Sequence, residues 1–134
     1  MTAVPIFFAA LSAMALGSGG AAHKSLDGFP PEFVGRWGED IGGCSPGAVH
    51  GGLTIRQKLV ADGEFSGEVQ SVVRKPDGSI DVVELWDIPE STAAKSRSNY
   101  ALSKNGKSLT VRTLEPGSEY LPEPLALVRC GARR

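Results

Sequence analysis

The stretch SGEVQSVVRKPDGSIDVVELWDI, residues 66–88, contains two runs of alternating apolar and polar residues, separated by Asp77-Gly78. Alternation with a period of two is the pattern of a β-strand that buries one face. An Asp-Gly dipeptide accepts the positive φ angles of a tight turn and is among the strongest short signals for a β-hairpin. The stretch therefore predicts two antiparallel strands. Their buried faces are expected to carry Phe65, Val69 and Val73 in the first strand, and Ile80, Val82, Trp86 and Ile88 in the second.

The rest of the chain repeats this pattern. Asp62-Gly63 and Asn105-Gly106 each stand between two further alternating runs, which favours a meander in which consecutive strands pair. No amphipathic pattern of three helical turns is present; residues 89–95 could form a single turn, and the proline-rich residues 115–124 are predicted to be a loop. The remaining strands are expected to bury Phe33, Trp37 and Ile41, then Leu53, Ile55 and Leu59, then Tyr100 and Leu102, then Leu109 and Val111, and finally Leu125 and Leu127.

A meander of this length has two exposed edges unless it closes on itself, and closure removes the edges completely. We therefore predict an all-β chain: a small antiparallel up-and-down β-barrel of seven or eight strands, formed by residues 33–134. Two packed sheets are the alternative architecture.

Residues 1–22 are predicted to be a secretory signal peptide. Residues 6–17 form an apolar run that is shorter than the roughly 20 residues a membrane-spanning helix needs, and small residues follow it, as at a cleavage site. An N-terminal membrane anchor is the alternative. Cleavage after Ala22 would leave residues 23–32 as an extended leader, because Pro30-Pro31 disfavour helix before them. The expected location is the periplasm or the extracellular medium.

The predicted export determines how Cys44 and Cys130, the two cysteines of the chain, are interpreted. In an oxidising compartment such a pair is usually bonded, and two cysteines allow a single pairing. The bond would close a loop over most of the mature chain and contribute about 4 kcal/mol in the chain-entropy model. A metal or redox pair is disfavoured because the spacing is not CxxC.

Charge and motifs argue against several functions. The 14 basic and 15 acidic residues are scattered, so the sequence has neither the basic stripe of a nucleic-acid binder nor a polybasic membrane-binding cluster. No local signature of a catalytic triad or a phosphate loop occurs. We therefore expect a monomer that is not an enzyme, has no cofactor or metal, and does not bind nucleic acid or, after signal removal, a membrane.

A barrel of this size either fills with side chains or holds one small ligand. Glu84 falls on the same face as Val82 and Trp86, so either a carboxylate points inward or Val83 and Leu85 face inward and Glu84 faces solvent. An inward carboxylate among aromatic residues would be a polar anchor for a ligand. The candidate ligand-binding residues are Gln57, Glu84, Trp86 and Tyr100.

Gly35-Arg36-Trp37 near the start of the first strand, with Arg129 in the last strand, resembles the calycin superfamily: lipocalins, fatty-acid-binding proteins, avidins and small bacterial metalloprotease inhibitors. The resemblance implies that Trp37 closes one end of the barrel and that Arg129 packs across its indole. It also implies that Gly35 lets the backbone pass close to a neighbouring strand.

The leading functional hypothesis is an exported binding module for a small apolar ligand. The alternative is an inhibitor of secreted metalloproteases that acts through the N-terminal arm, which the resemblance suggests. A third hypothesis is an enzyme or a copper protein; in the copper version, His23 at a new N-terminus, with His50, would supply nitrogen ligands.

Overall fold

The computed structural model describes residues 23–40, 44, 52–87, 94–115 and 123–131. The predicted signal peptide, Ile41, Ile88, His50 and residues 89–93 lie outside the described residues. Of the turn predicted over 89–95, the described residues Ala94 and Lys95 belong to a strand instead. Within them the chain forms nine β-strands and one 3₁₀ turn. The strands are β1 Lys24–Leu26, β2 Gly35–Gly38, β3 Gly52–Arg56, β4 Leu59–Ala61, β5 Ser66–Arg74, β6 Ile80–Asp87, β7 Ala94–Leu102, β8 Ser108–Glu115 and β9 Leu125–Arg129; the 3₁₀ turn is Pro31–Phe33.

Eight of these strands close into an antiparallel up-and-down barrel, as predicted. From β2 to β9 each strand pairs with the next one in the chain, and β9 returns to pair with β2. The closing register places Trp37 opposite Arg129 and Gly38 opposite Val128. Because the barrel closes, β2 to β9 form a continuous ring of paired strands.

The three hairpin turns occur at the Asp-Gly and Asn-Gly dipeptides, as predicted. Gly63, Gly78 and Gly106 have φ angles of 97°, 89° and 72°, in the left-handed region that glycine adopts without a steric cost. The carboxylate of Asp77 accepts a hydrogen bond from the backbone N–H of Ser79 at 2.9 Å, which stabilises the turn locally.

One predicted strand is a hairpin instead. The alternating run Leu53 to Leu59 was expected to be a single strand, but it divides into β3 and β4, with Arg56 opposite Leu59. The turn residues are Gln57 and Lys58, and neither belongs to the residue types that mark tight turns. The prediction is therefore wrong at this point, because the turn is imposed by pairing and not by a local signal.

A bulge changes the buried face of β5. The register shifts between Val69 and Ser71, so Val72 lies in the core and Val73 does not face it, contrary to the prediction. An extra residue of this kind reverses the direction of every side chain that follows it. Phe33 also departs from the prediction, because it lies in the 3₁₀ turn before β2, where it is buried.

Aromatic side chains fill one end of the barrel, which we call the closed end. Trp37 is 1% exposed, and its Nε1 donates to the carbonyl of Phe33 at 3.0 Å. The guanidinium carbon of Arg129 lies 4.2 Å from the centre of the Trp37 ring, which confirms the expected packing. Gly35 has a φ of 141°, and a Cβ there would lie 3.3 Å from Nη1 of Arg129, so a side chain would be both strained and crowded.

The predicted leader belongs to the sheet. β1 pairs with the second half of β5, with Leu26 opposite Val72, and Phe29 is buried beneath the barrel. The amide of Phe29 donates to the carbonyl of Gln57 at 2.8 Å. Residues 24–33 therefore cover the closed end and do not project as an arm.

The disulfide between Cys44 and Cys130 is confirmed, with 5.2 Å between the two Cα atoms. The amide of Cys130 donates to the carbonyl of Arg36 at 2.9 Å. The bond therefore ties Cys44 to the chain beside the start of β2, next to the closed end.

Candidate functional site

At the opposite end of the barrel, which we call the open end, the described residues leave a cavity of about 480 Å³. The connections β2 to β3, β4 to β5, β6 to β7 and β8 to β9 all leave from this end, since alternate connections of an up-and-down barrel lie at the same end. Ligand sites in proteins typically measure about 300–1,000 Å³. The space is therefore large enough for one small molecule.

Strand β6 supplies the polar centre of this cavity. Val82 and Glu84 are buried, whereas Val83 and Leu85 are partly exposed on the outer face. The sequence did not determine whether Glu84 faces the barrel interior or the solvent, because both faces of β6 are apolar. The structure turns the carboxylate inward, where it is 1% exposed.

Two neighbouring side chains hold the Glu84 carboxylate. The hydroxyl of Tyr100 donates to Oε1 at 2.5 Å, and Nε1 of Trp86 donates to Oε2 at 2.8 Å. Burial raises the pKa of Glu84, and these two hydrogen bonds only partly offset the effect. Burial and the adjacent carboxylate raise the pKa of Tyr100 well above its ordinary value, so its hydroxyl keeps its proton.

Tyr100 forms the floor between the cavity and the closed end. Its ring packs edge-on against Phe29, with 5.0 Å between the ring centres, while its hydroxyl points to Glu84. Such edge-to-face contacts are favourable beyond simple burial. The aromatic packing below thus fixes the position of the hydroxyl that holds the carboxylate.

Trp86 forms part of the wall, and its place depends on Gly67. The two residues are opposite each other in the β5–β6 register, and the indole packs directly on the glycine. A residue with a side chain at position 67 would occupy the space of the ring.

The rest of the lining is mixed. Apolar contact comes from residues of β3, β8 and β9, and hydroxyl groups come from β7 and β8. Carboxylates lie at the rim. Among the described residues the lining contains no lysine or arginine. The apolar residues are Leu53, Val111 and Leu125, the hydroxyl residues are Ser96, Ser98 and Thr113, and the rim carboxylates are Glu39, Asp62 and Glu64.

Three of the four predicted ligand-binding residues, Glu84, Trp86 and Tyr100, come together at the cavity. Gln57 does not: it is an exposed turn residue at the closed end, beside Phe29. The sequence reasoning also missed Ser96 and Ser98. Their alternation with Tyr100 along β7 was the available signal, because residues i, i+2 and i+4 of a strand share a face.

The described residues contain no group of three or more histidine, cysteine or acidic side chains placed to hold a metal ion. His23, one of the two proposed copper ligands, is exposed beside β1, and His50 lies outside the described residues. No helix in the described part of the chain is long and apolar enough to cross a membrane.

The fold and the cavity together define a class, a disulfide-tied eight-stranded β-barrel with one closed and one open end. No protein-family model matches this chain, and no curated protein or solved structure is significantly similar to it.

Proposed function

We propose that this protein is an exported, non-enzymatic binding module of calycin type, which holds a small molecule in the open end of its barrel. The observation that carries the proposal is the cavity of about 480 Å³ with a polar group at its floor. An apolar lining with a few placed polar groups is the usual composition of a small-molecule site.

The calycin assignment is supported by the closed end. Trp37 and Arg129 make the contact that the resemblance implies, in a barrel whose first and last strands pair. Gly35 has only the Arg129 side chain beside it and no backbone of a neighbouring strand. Export is supported by the disulfide between Cys44 and Cys130, since such bonds persist in oxidising compartments. Fold likeness alone does not assign a ligand, so the ligand class must come from the cavity.

The alternative of a protease inhibitor requires a free N-terminal arm. Lys24–Leu26 instead pairs with β5, and Phe29 is buried under the barrel. An inhibitory arm would have to leave the sheet first. No contact among the described residues favours this second function.

Titration with Nile red, an uncharged apolar dye, tests the binding function. We expect saturable binding at one site per chain, with a rise in dye fluorescence. Ser96→Trp would fill the cavity, because Ser96 lines it opposite Glu84 in the β6–β7 register, and it should abolish binding.

The matched control is Lys95→Trp, which places the same side chain one residue earlier on the exposed face of β7. This variant should bind the dye as the wild type does. Failure of the wild type to bind, or equal binding by the two variants, would reject the cavity as the binding site.

A further inference from the structure

We propose that the ligand of this cavity is a small cation with an apolar body, such as a protonated amine, whose charged group sits beside Glu84. The inference rests on the proposed binding function and adds the chemical class of the ligand. It depends on three features of the open end: the buried carboxylate, the charges of the lining and the aromatic wall.

The first feature is that Glu84 has no cationic partner among the residues that the structure describes. Its oxygens accept hydrogen bonds from Tyr100 and Trp86, and both donors are neutral. A buried carboxylate normally pairs with a cation or gives up its charge by taking a proton. A carboxylate has about four acceptor positions, and the two named bonds leave positions for a further donor from the cavity.

The second feature is the sign of the charges at the open end. The charged residues that line the cavity within the described part of the chain are Glu39, Asp62, Glu64 and Glu84, and all are acidic. Glu123, on the described part of the connection from β8 to β9 at the same end, adds a further carboxylate. A cleft with charges of one sign concentrates ligands of the opposite sign.

The closed end has the opposite charge. Its three turns, 57–58, 75–79 and 103–107, contain four lysines and one acidic residue, Asp77. The lysines are Lys58, Lys75, Lys104 and Lys107. The described connections at the two ends therefore carry charges of opposite sign, although the whole chain is almost neutral, with a formal charge of −1. An anionic ligand would be repelled from the only end at which the described cavity opens.

The third feature is the aromatic wall. Trp86 lines the cavity beside Glu84 and is not fully buried, and the indole face attracts cations. Leu53, Val111 and Leu125 provide apolar contact further round the barrel. A molecule with one cationic group and one apolar body would satisfy the carboxylate and cover these side chains at the same time.

Three probes with the same alkyl chain separate the ligand classes: octylamine as the cation, 1-octanol as the neutral compound and octanoate as the anion. Each is titrated against the protein with bound Nile red, at pH 7 and low salt. We expect octylamine to displace the dye at a concentration at least about tenfold lower than 1-octanol, and octanoate to be the weakest.

Glu84→Gln tests the role assigned to the carboxylate, since it keeps the shape and removes the charge. It should reduce the preference for octylamine over 1-octanol to within about twofold. Glu68→Gln, on the exposed outer face of β5, is the control and should leave the preference unchanged. Raising NaCl from low to high concentration should weaken octylamine binding to the wild type and leave 1-octanol unaffected, a readout that does not depend on any variant.

The inference is overturned if 1-octanol or octanoate binds as tightly as octylamine, or if no octyl compound displaces a dye whose binding Ser96→Trp abolishes. In both cases the cavity would still bind a small molecule, and only the cationic class would be wrong. Failure of the proposed binding function would give a different result, namely no dye binding to the wild type.

Discussion

Gly67 and Trp86 face each other across β5 and β6, and a Cβ added to the glycine would lie 2.9 Å from Cε2 of the indole. That distance is shorter than non-bonded carbon atoms tolerate, so any side chain at position 67 must move the tryptophan. The wall of the cavity is thus set partly by the absence of a side chain on the neighbouring strand.

Gly67→Ala should therefore displace the indole, weaken its hydrogen bond to Glu84 and reduce the free energy of unfolding by about 1–3 kcal/mol, the usual cost of overpacking. Urea denaturation measures the loss, and tryptophan fluorescence reports the new surroundings of the ring. In a Trp86→Leu background the same glycine change should cost less, because the two sites are coupled. Equal costs in the two backgrounds would contradict this account of Gly67.

Arg129 connects three parts of the closed end. It stacks on Trp37, and its guanidinium donates to the carbonyls of Glu32 at 2.6 Å and Gly106 at 3.0 Å. Arg129→Ala should lower the free energy of unfolding by about 2 kcal/mol, through the lost charged hydrogen bonds and cation–π contact.

Arg129→Lys keeps the charge but not the planar fork of donors, so its unfolding midpoint should lie between those of the wild type and the alanine variant. Thermal and urea denaturation give the order of the three proteins. A lysine variant as stable as the wild type would show that the charge alone matters.

Reduction of the disulfide should destabilise the protein strongly. The bond spans 86 residues of sequence, and closing a loop of this length is worth about 4.6 kcal/mol in the chain-entropy model. Dithiothreitol should shift the urea midpoint of the wild type to that of the Cys44→Ser/Cys130→Ser variant, and it should not affect that variant. An unchanged midpoint in the reduced wild type would show that the strand pairing alone holds the closed end.

Glu84 should make the stability of the free protein fall as the pH rises above about 4.5. Burial raises the pKa of Glu84 above its ordinary value of 4.5, so the folded chain binds this proton more tightly than the unfolded chain does. The favourable contribution is complete below about pH 4.5 and is lost as the pH rises through the raised pKa. Glu84→Gln should flatten this part of the curve of unfolding midpoint against pH; parallel curves for the two proteins would contradict it.

Amine binding should release a proton in the same pH range, because the cation favours the ionised form of Glu84. The titratable groups that face the cavity with Glu84 are Tyr100 on β7, Glu39 after β2, and Asp62 and Glu64 between β4 and β5. Calorimetry of octylamine binding in buffers of different ionisation enthalpy measures the proton count. The release should disappear in Glu84→Gln; a release that persists in this variant would contradict the role assigned to Glu84.

Local signals in the sequence account for much of the fold. The three Asp-Gly and Asn-Gly turns place most strand ends, because these dipeptides adopt positive φ angles wherever they occur. The turn at Gln57 and the bulge after Val69 could not be found in this way. Both depend on strand register, which pairing over distance determines and no short pattern records.

Part of the candidate site could be predicted from the sequence. Glu84, Trp86 and Tyr100 could be grouped by period two along β6 and β7, but the direction of Glu84 could not, since Val83 and Leu85 make the other face equally apolar. Gln57 was assigned to the wrong end, because an unrecognised hairpin reverses the chain there. The sign of the charge at the open end could not be predicted, because the topology brings together connections that are far apart in the sequence.

The closed end holds the features that keep this chain folded: the disulfide, the arginine–tryptophan stack and the added strand. The cavity lies at the other end. The contacts that hold the closed end are thus separate from the rim of the cavity, and the rim carboxylates should accept exchange without unfolding the protein. If the cavity binds a ligand as proposed, its selectivity could be redesigned by replacing the carboxylates of the rim while the closed end stays unchanged.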